Sequence, residues 1–276
     1  MPAARTPLIG VSLKMYFTPA ETAAYVESAY IPVARSAIDL GVSTIVIPDF
    51  VSLSATCGAV RDAFGGDPAG GAGEPSAAVG AQDCFYEDAG AYTGEVSPRT
   101  VAAVGARYVL VGHAERRRVF GESDAAVGLK TAAAARNGLV PVVCVGERKR
   151  GGDGDGGDHA VGVVRAQLAA ALADVSPAAP VVIAYEPVWA IGQRHPAPTA
   201  HINTVCRAIR GALDAAGRQS SARVLYGGSA GEGMFGELDG RSVDGLLVAR
   251  AGHVGAQLAQ MVRDVAGKLV QGGGVE

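Results

Sequence analysis

Short runs of Val, Ile, Leu and Ala recur along the chain, separated by longer stretches of mixed polarity. Eight such runs stand at Leu8–Met15, Thr44–Phe50, Ala78–Cys84, Tyr108–Val111, Leu139–Val145, Val181–Tyr185, Arg223–Tyr226 and Val243–Val248. Most lack the polar alternation of a strand with one wet face. Strands buried on both faces read this way, as in parallel sheets covered by helices. Between them, Ala20–Asp39, Thr100–Ala106, Ala125–Asn137, Val161–Leu172, Thr199–Ala216 and Val254–Leu269 are Ala-rich or amphipathic and read as helices. The first has a start signal: Thr18-Pro19-Ala20-Glu21 combines an N-cap, a proline at the first helical position and a capping-box glutamate. Strand and helix alternating eight times predict an α/β protein folded as one closed (β/α)8 barrel of parallel strands. An open doubly wound sheet is the structural competitor.

A chain of 276 residues fits one such barrel or two smaller domains. No linker interrupts the alternation, so a single barrel domain is expected over residues 1–276. Two Gly-rich insertions, Gly65–Pro75 and Gly151–His159, read as flexible surface loops. Lys+Arg 24 against Asp+Glu 27 leaves a net charge of −3, which gives no overall drive toward nucleic acid or anionic lipid. A local basic pocket for a small anion remains open. The four cysteines form no C-x-x-C motif, and Cys84 and Cys144 sit in apolar runs, where a buried free thiol is expected. With no leader-like apolar segment at the start and no membrane-length apolar run, the expectation is a protein of the reducing cytoplasm.

Two formal motifs fail on their context. Gly152, Gly154 and Gly157 spell G-x-G-x-x-G, but Arg148-Lys149-Arg150 precedes them and aspartates fill the loop, where a pyrophosphate would need none. The same aspartates lack the closing glutamate of a calcium loop. His195 and His201 are expected on a loop and a helix and form no metal-ligand pattern.

Chemistry in a barrel gathers at the C-terminal ends of the strands. The first run ends on Ser12-Leu13-Lys14, and Lys14 is either a snorkelling surface lysine or a cation facing an anionic substrate. After the fourth come Gly112-His113-Ala114-Glu115. His113 would lie at a helix N-terminus, where the dipole disfavours imidazolium and leaves a neutral ring that donates a hydrogen bond. Glu115 belongs either to a solvated charge cluster with Arg116 and Arg117 or to a pair with Lys14. Glu186 closes the apolar sixth run, an environment that strengthens a carboxylate as a base. Behind it, Pro187-Val188-Trp189-Ala190-Ile191-Gly192 suits a rigid lid hinged at both ends. Gly227-Gly228-Ser229 follows the seventh run, in a place where barrels hold phosphate on backbone N–H groups.

These stretches, with Gly90–Ser97 and Val143–Glu147, resemble motifs of the triosephosphate isomerase family, in matching order over nearly the whole chain. The Glu-Pro-Val-Trp-Ala-Ile-Gly stretch is the most specific. The resemblance implies a TIM barrel and an aldose–ketose phosphate isomerase of carbohydrate metabolism, with no metal or organic cofactor. By motif, Glu186 resembles the base, His113 the neutral electrophile, Lys14 the cation that stabilises enediolate and phosphate charge, and Glu115 the second carboxylate near the lysine. Gly192 and Ser229 match backbone positions that hold the phosphate. Thr93 matches a loop tip that enters a partner subunit, which implies a homodimer.

Three departures surround the substrate. Ser12-Leu13 stands where the family has Asn-Trp, and Ala249-Arg250 where it has a Gly-Gly pair at the eighth phosphate loop. Gln193-Arg194-His195-Pro196 replaces the usual Thr-Gly-Lys lid exit. Ser12 loses an amide donor, while Ala249 and Arg250 keep their N–H groups without glycine's φ freedom. Arg250 either adds a guanidinium to the phosphate or projects away. The leading expectation is therefore triosephosphate isomerase. The alternatives are isomerisation of a four-carbon ketose phosphate such as erythrulose phosphate, with Ser12-Leu13 making room, and a phosphosugar-binding barrel without turnover.

Overall fold

The computed structural model describes residues 5–65, 76–152, 154–193 and 196–272. Most of the first Gly-rich insertion, Asp153 of the second, and Arg194 and His195 lie outside the described residues.

Eight strands form the predicted closed barrel in sequence order: β1 (Leu8–Ser12), β2 (Ser43–Ile47), β3 (Ala77–Ala81), β4 (Tyr108–Val111), β5 (Val140–Val145), β6 (Val181–Tyr185), β7 (Ala222–Tyr226) and β8 (Gly245–Val248). All pair in parallel, and β1 closes the ring by setting Leu8 against Ser43 of β2 and Gly245 of β8. The open-sheet competitor is excluded. The uniform hydrophobicity of the runs has a direct cause. Leu8, Ile45, Ile47, Leu110, Val142, Val182, Leu225 and Leu247 fill the barrel interior. Their strand neighbours Ile9, Val11, Val46, Val109, Val111, Val143, Ile183 and Val224 face the helices. Neither face meets water.

The helices are α1 (Pro19–Tyr25), α2 (Ile31–Asp39), α3 (Phe50–Phe64), α4 (Pro98–Ala103), α5 (Ala114–Val119), α6 (Asp124–Arg136), α7 (Asp158–Leu172), α8 (Thr199–Ala215), α9 (Met234–Glu237) and α10 (Gly255–Gly272). Thr18 makes the expected capping box with Glu21. The stretch read as one helix over 20–39 is divided by a π-turn, Val26–Tyr30. Pro32 has no N–H to offer the turn before it, and the ladder widens there.

Five of the apolar runs reach beyond their strands, among them the first two. β2 stops at Ile47, because Pro48-Asp49 follows and the Asp49 carboxylate caps α3 by accepting from Val51 and Ser52 N–H at 2.7 and 3.1 Å. β1 stops at Ser12, so Lys14 lies in the turn beyond the strand rather than at its end. All four cysteines are free and buried. Burial pushes the Cys57 thiol up to about 11 and that of Cys84 up to about 12. No helix among the described residues is long and apolar enough to cross a membrane.

Candidate active site

Lys14 is the sole non-glycine residue among those described with a left-handed backbone, at φ 50°. Such a conformation costs about 1–3 kcal/mol and persists only where its surroundings impose it. Here the preceding Leu13 is fully buried and its N–H donates to Ile47 O at 2.9 Å, while the Gln82 amide donates to Lys14 O at 2.7 Å. So held, the Lys14 ammonium reaches Glu115 Oε1 at 2.7 Å. Of the two readings of Glu115, the pair with Lys14 is the one realised. Burial alone would raise the Glu115 carboxyl, but the hydrogen bond and charge of Lys14 outweigh it and hold the group below the usual carboxylate range.

His113 is the N-cap of α5, and its Nδ1 accepts from the Glu115 N–H at 3.2 Å. An accepting Nδ1 carries no proton, so the proton of the neutral ring sits on Nε2. That nitrogen lies 3.5 Å from Glu186 Oε1.

Glu186 follows β6 directly, and its N–H donates to Val145 O at 2.8 Å. It is 3% exposed, and its Oε2 is buried without a hydrogen-bond partner. Two glycines shape its seat. A Cβ on Gly146 would fall 1.9 Å from Glu186 O, and one on Gly227 would fall 2.8 Å from Glu186 Cγ. Neither position tolerates a side chain with Glu186 where it is.

Beyond Glu186, Val188–Ala190 forms one 3-10 turn. Its underside rests on Glu147, a fully buried carboxylate. The indole N–H of Trp189 donates to Glu147 Oε1 at 2.5 Å and the Tyr185 hydroxyl donates at 3.1 Å, while His201 Nε2 lies 3.1 Å from the same carboxylate. Burial, aided by the Glu147 charge, pushes the Tyr185 phenol far up. From the other side, Ser229 Oγ donates to Ala190 O at 3.0 Å, tying the lid to the Gly-Gly-Ser loop.

These elements enclose a cavity of about 650 Å³. Its lining includes Ser12, Lys14, His113, Glu115, Glu186, Gly192, Ser229, Ala249 and Arg250, together with Gly227 and Gly228 of the loop after β7. Arg250 lines this cavity at the start of a 3-10 turn, Arg250–His253. Thr93 lies elsewhere, exposed on the loop between β3 and α4. Among the described residues no group of three or more His, Cys, Asp or Glu side chains is arranged to hold a metal. A family model described as triosephosphate isomerase matches residues 7–265. The chain belongs to the triosephosphate isomerase family. Its similarity extends to proteins of two names. The L-erythrulose-1-phosphate isomerase of Pectobacterium atrosepticum is 42% identical, over 91% of this chain and 92% of that one. The triosephosphate isomerase of Mycobacteroides abscessus is 41% identical, over 95% and 98%. That of Leifsonia xyli subsp. xyli is 38% identical, over 94% and 97%.

Within this isomerase family the structure sharpens one departure. Ser12 faces the cavity, but Leu13 packs in the layer between strands and helices and does not line it. Loss of the family's tryptophan at position 13 therefore opens no space for substrate, and the expectation that it does is corrected. Sequence reasoning also missed the parts that brace the lid. Glu147 stood in a recognised motif without a role, and His201 was weighed only as a metal ligand. The available signal was a carboxylate two residues beyond β5, much as Glu186 stands one residue beyond β6.

Proposed function

We propose that this chain isomerises a ketose phosphate through an enediolate, and that its preferred substrate is a four-carbon ketose phosphate of the erythrulose 1-phosphate kind. The observation that carries the reading is one cavity holding Lys14, His113 and Glu186 together with the short side chain of Ser12. A proton shift next to a carbonyl needs a base, a donor to the carbonyl oxygen and an anion clamp. Glu186 takes the proton from the carbon beside the carbonyl, using a carboxylate with one oxygen unpartnered. His113 donates Nε2–H to the oxygen that gains charge, and the Lys14 ammonium stabilises that charge. The proton then returns to the former carbonyl carbon, and the carbonyl has moved one carbon away from the phosphate. On a three-carbon substrate that carbon becomes an aldehyde. On a four-carbon one it bears a hydroxymethyl group and becomes a ketone. The extra group needs space beside the reacting carbons, and serine in place of asparagine leaves it.

The phosphate is held by backbone N–H groups at Gly192, Ser229, Ala249 and Arg250, with the Arg250 guanidinium available beside them. The lid from Pro187 to Gly192 excludes water while the enediolate lives. The reading extends to a homodimer of the reducing cytoplasm, joined through the loop around Thr93. Four buried free thiols support the compartment. Exposed Met15, Tyr16 and Tyr92 on the loops after β1 and β3 support the dimer.

The second reading is the three-carbon substrate, favoured by the relatives named triosephosphate isomerase. Measured kcat/KM on L-erythrulose 1-phosphate and on dihydroxyacetone phosphate decides between them. The four-carbon substrate is expected to win by about tenfold or more, the scale of one extra accommodated group; the reverse ranking establishes the three-carbon enzyme. Substrate-dependent incorporation of deuterium from heavy water is expected, and Glu186→Gln should lower its rate by about 10²–10⁴. Binding without exchange would leave a phosphosugar-binding barrel.

A further inference from the structure

A second cavity, of about 760 Å³, lies outside the barrel mouth among α5, the start of α6, the loop after β5 and α7. It shares no lining residue with the catalytic cavity. Its walls carry Arg117, Arg118, Arg148 and Lys149 against Glu122 and Asp124. Both acids are already engaged: Glu122 by Arg116 and Lys130, and Asp124 by Arg117. Arg117 is spent as well: its Nε donates to Gly112 O, its Nη1 pairs with Asp124, and its Nη2 is buried. Among the described residues, no carboxylate forms an ion pair with Arg148 or Lys149. Arg118, Arg148 and Lys149 are exposed on this concave surface, and guanidinium and ammonium groups so placed suit an anion of more than one charge.

The other walls lead to the lid. Gly146 lines this cavity, and its backbone is gripped from both sides by Gln167, at 2.8 Å to N–H and 3.3 Å to the carbonyl. Gly146 is also the residue pressed against the Glu186 peptide. Val188, the first residue of the lid's 3-10 turn, lines the cavity too, and its N–H donates to Glu147 O at 3.0 Å. An occupant would therefore touch the seat of the base and the root of the lid without entering the catalytic cavity.

We propose that this cavity is a second binding site, for a small polyanion of the phosphate-ester or pyrophosphate class, whose occupancy restrains the lid and slows turnover. Its effect on turnover rests on the isomerase reading; its binding does not. Calorimetric titration of the full chain with inorganic pyrophosphate is expected to resolve two sites per chain, the catalytic one and this one. In Arg148→Glu/Lys149→Glu, which changes two exposed residues, the second site should weaken by about tenfold or more, since two attractive charges become repulsive. Turnover without pyrophosphate should stay as in the parent. In the parent, pyrophosphate should lower kcat even at saturating ketose phosphate, and in the variant it should act by competition alone. A single site in the parent, or an unchanged second site in the variant, overturns the proposal. Should no ketose phosphate turn over, the isomerase reading falls while the two-site titration still decides this one. In that case the lid is followed by emission of Trp189, the only tryptophan.

Discussion

Glu186 works at the position its neighbours leave it. Gly227 matters for that reason, since the atom that alanine would add lies 2.8 Å from Glu186 Cγ. Gly227→Ala is expected to push the carboxylate off the substrate carbon and to lower kcat by about 10²-fold, because a displacement near 1 Å has that effect. KM should change little, as the phosphate-binding N–H groups keep their places. Steady-state kinetics with a melting curve checks this, and a rise in KM at unchanged kcat would contradict it. At this scale the sequence was legible where chemistry needs a rare residue in an apolar setting: Lys14, His113 and Glu186 stood out against their runs. Leu13 was misread because an apolar residue after a strand looks the same whether it faces substrate or core.

Elements set how those residues are held. The lid turn stands on Glu147, which Trp189, Tyr185 and His201 bind together from three different elements. His201→Ala removes one partner from a buried carboxylate and is expected to cost about 1.5–3 kcal/mol of stability. It should also alter Trp189 emission and lower kcat; His201→Gln, which can still donate, should recover most of each. On the opposite flank, Lys130 of α6 binds both Asp83 and Glu122. Burial would raise the Glu122 carboxyl, but the bond and charge of Lys130, with Arg116, outweigh it and hold the group low. A carboxylate lowered on folding adds stability above its unfolded value. That contribution is lost as pH falls through the lower folded value. Lys130→Met should therefore cost about 3–5 kcal/mol near neutrality. In denaturant melts the loss should shrink on acidification, as the stranded carboxylates take up protons. None of this was legible beforehand. Glu147 and His201 are 54 positions apart, Asp83 and Lys130 47, and only the closed ring brings each pair together.

For the whole molecule, the barrel was the most legible feature, because strands shielded on both faces leave an unmistakable pattern of apolar runs. Their ends were less so: Met15 and Phe50, apolar but exposed, stand in the turn after β1 and at the start of α3, and the pattern cannot separate such residues from strand. Assembly is the remaining whole-molecule property. Met15 is 94% and Tyr16 62% exposed, immediately after the strained Lys14. In the proposed homodimer, the loop around Thr93 of a second copy would cover them and brace that turn. Thr93→Glu should shift sedimentation from dimer to monomer and lower kcat/KM by about 10²-fold through loss of Lys14 placement. A parent chain that sediments as a monomer would remove the argument.

The four cysteines stand at different points of the fold: on α3, just after β3, within β5 and on α8. Each is shut away from solvent and kept in its unreactive protonated form. An alkylating reagent at neutral pH therefore meets no target in the intact ring. Modification at any one of them records that its own surroundings have opened, so mapping which sulfur is labelled first tells where the barrel begins to fail.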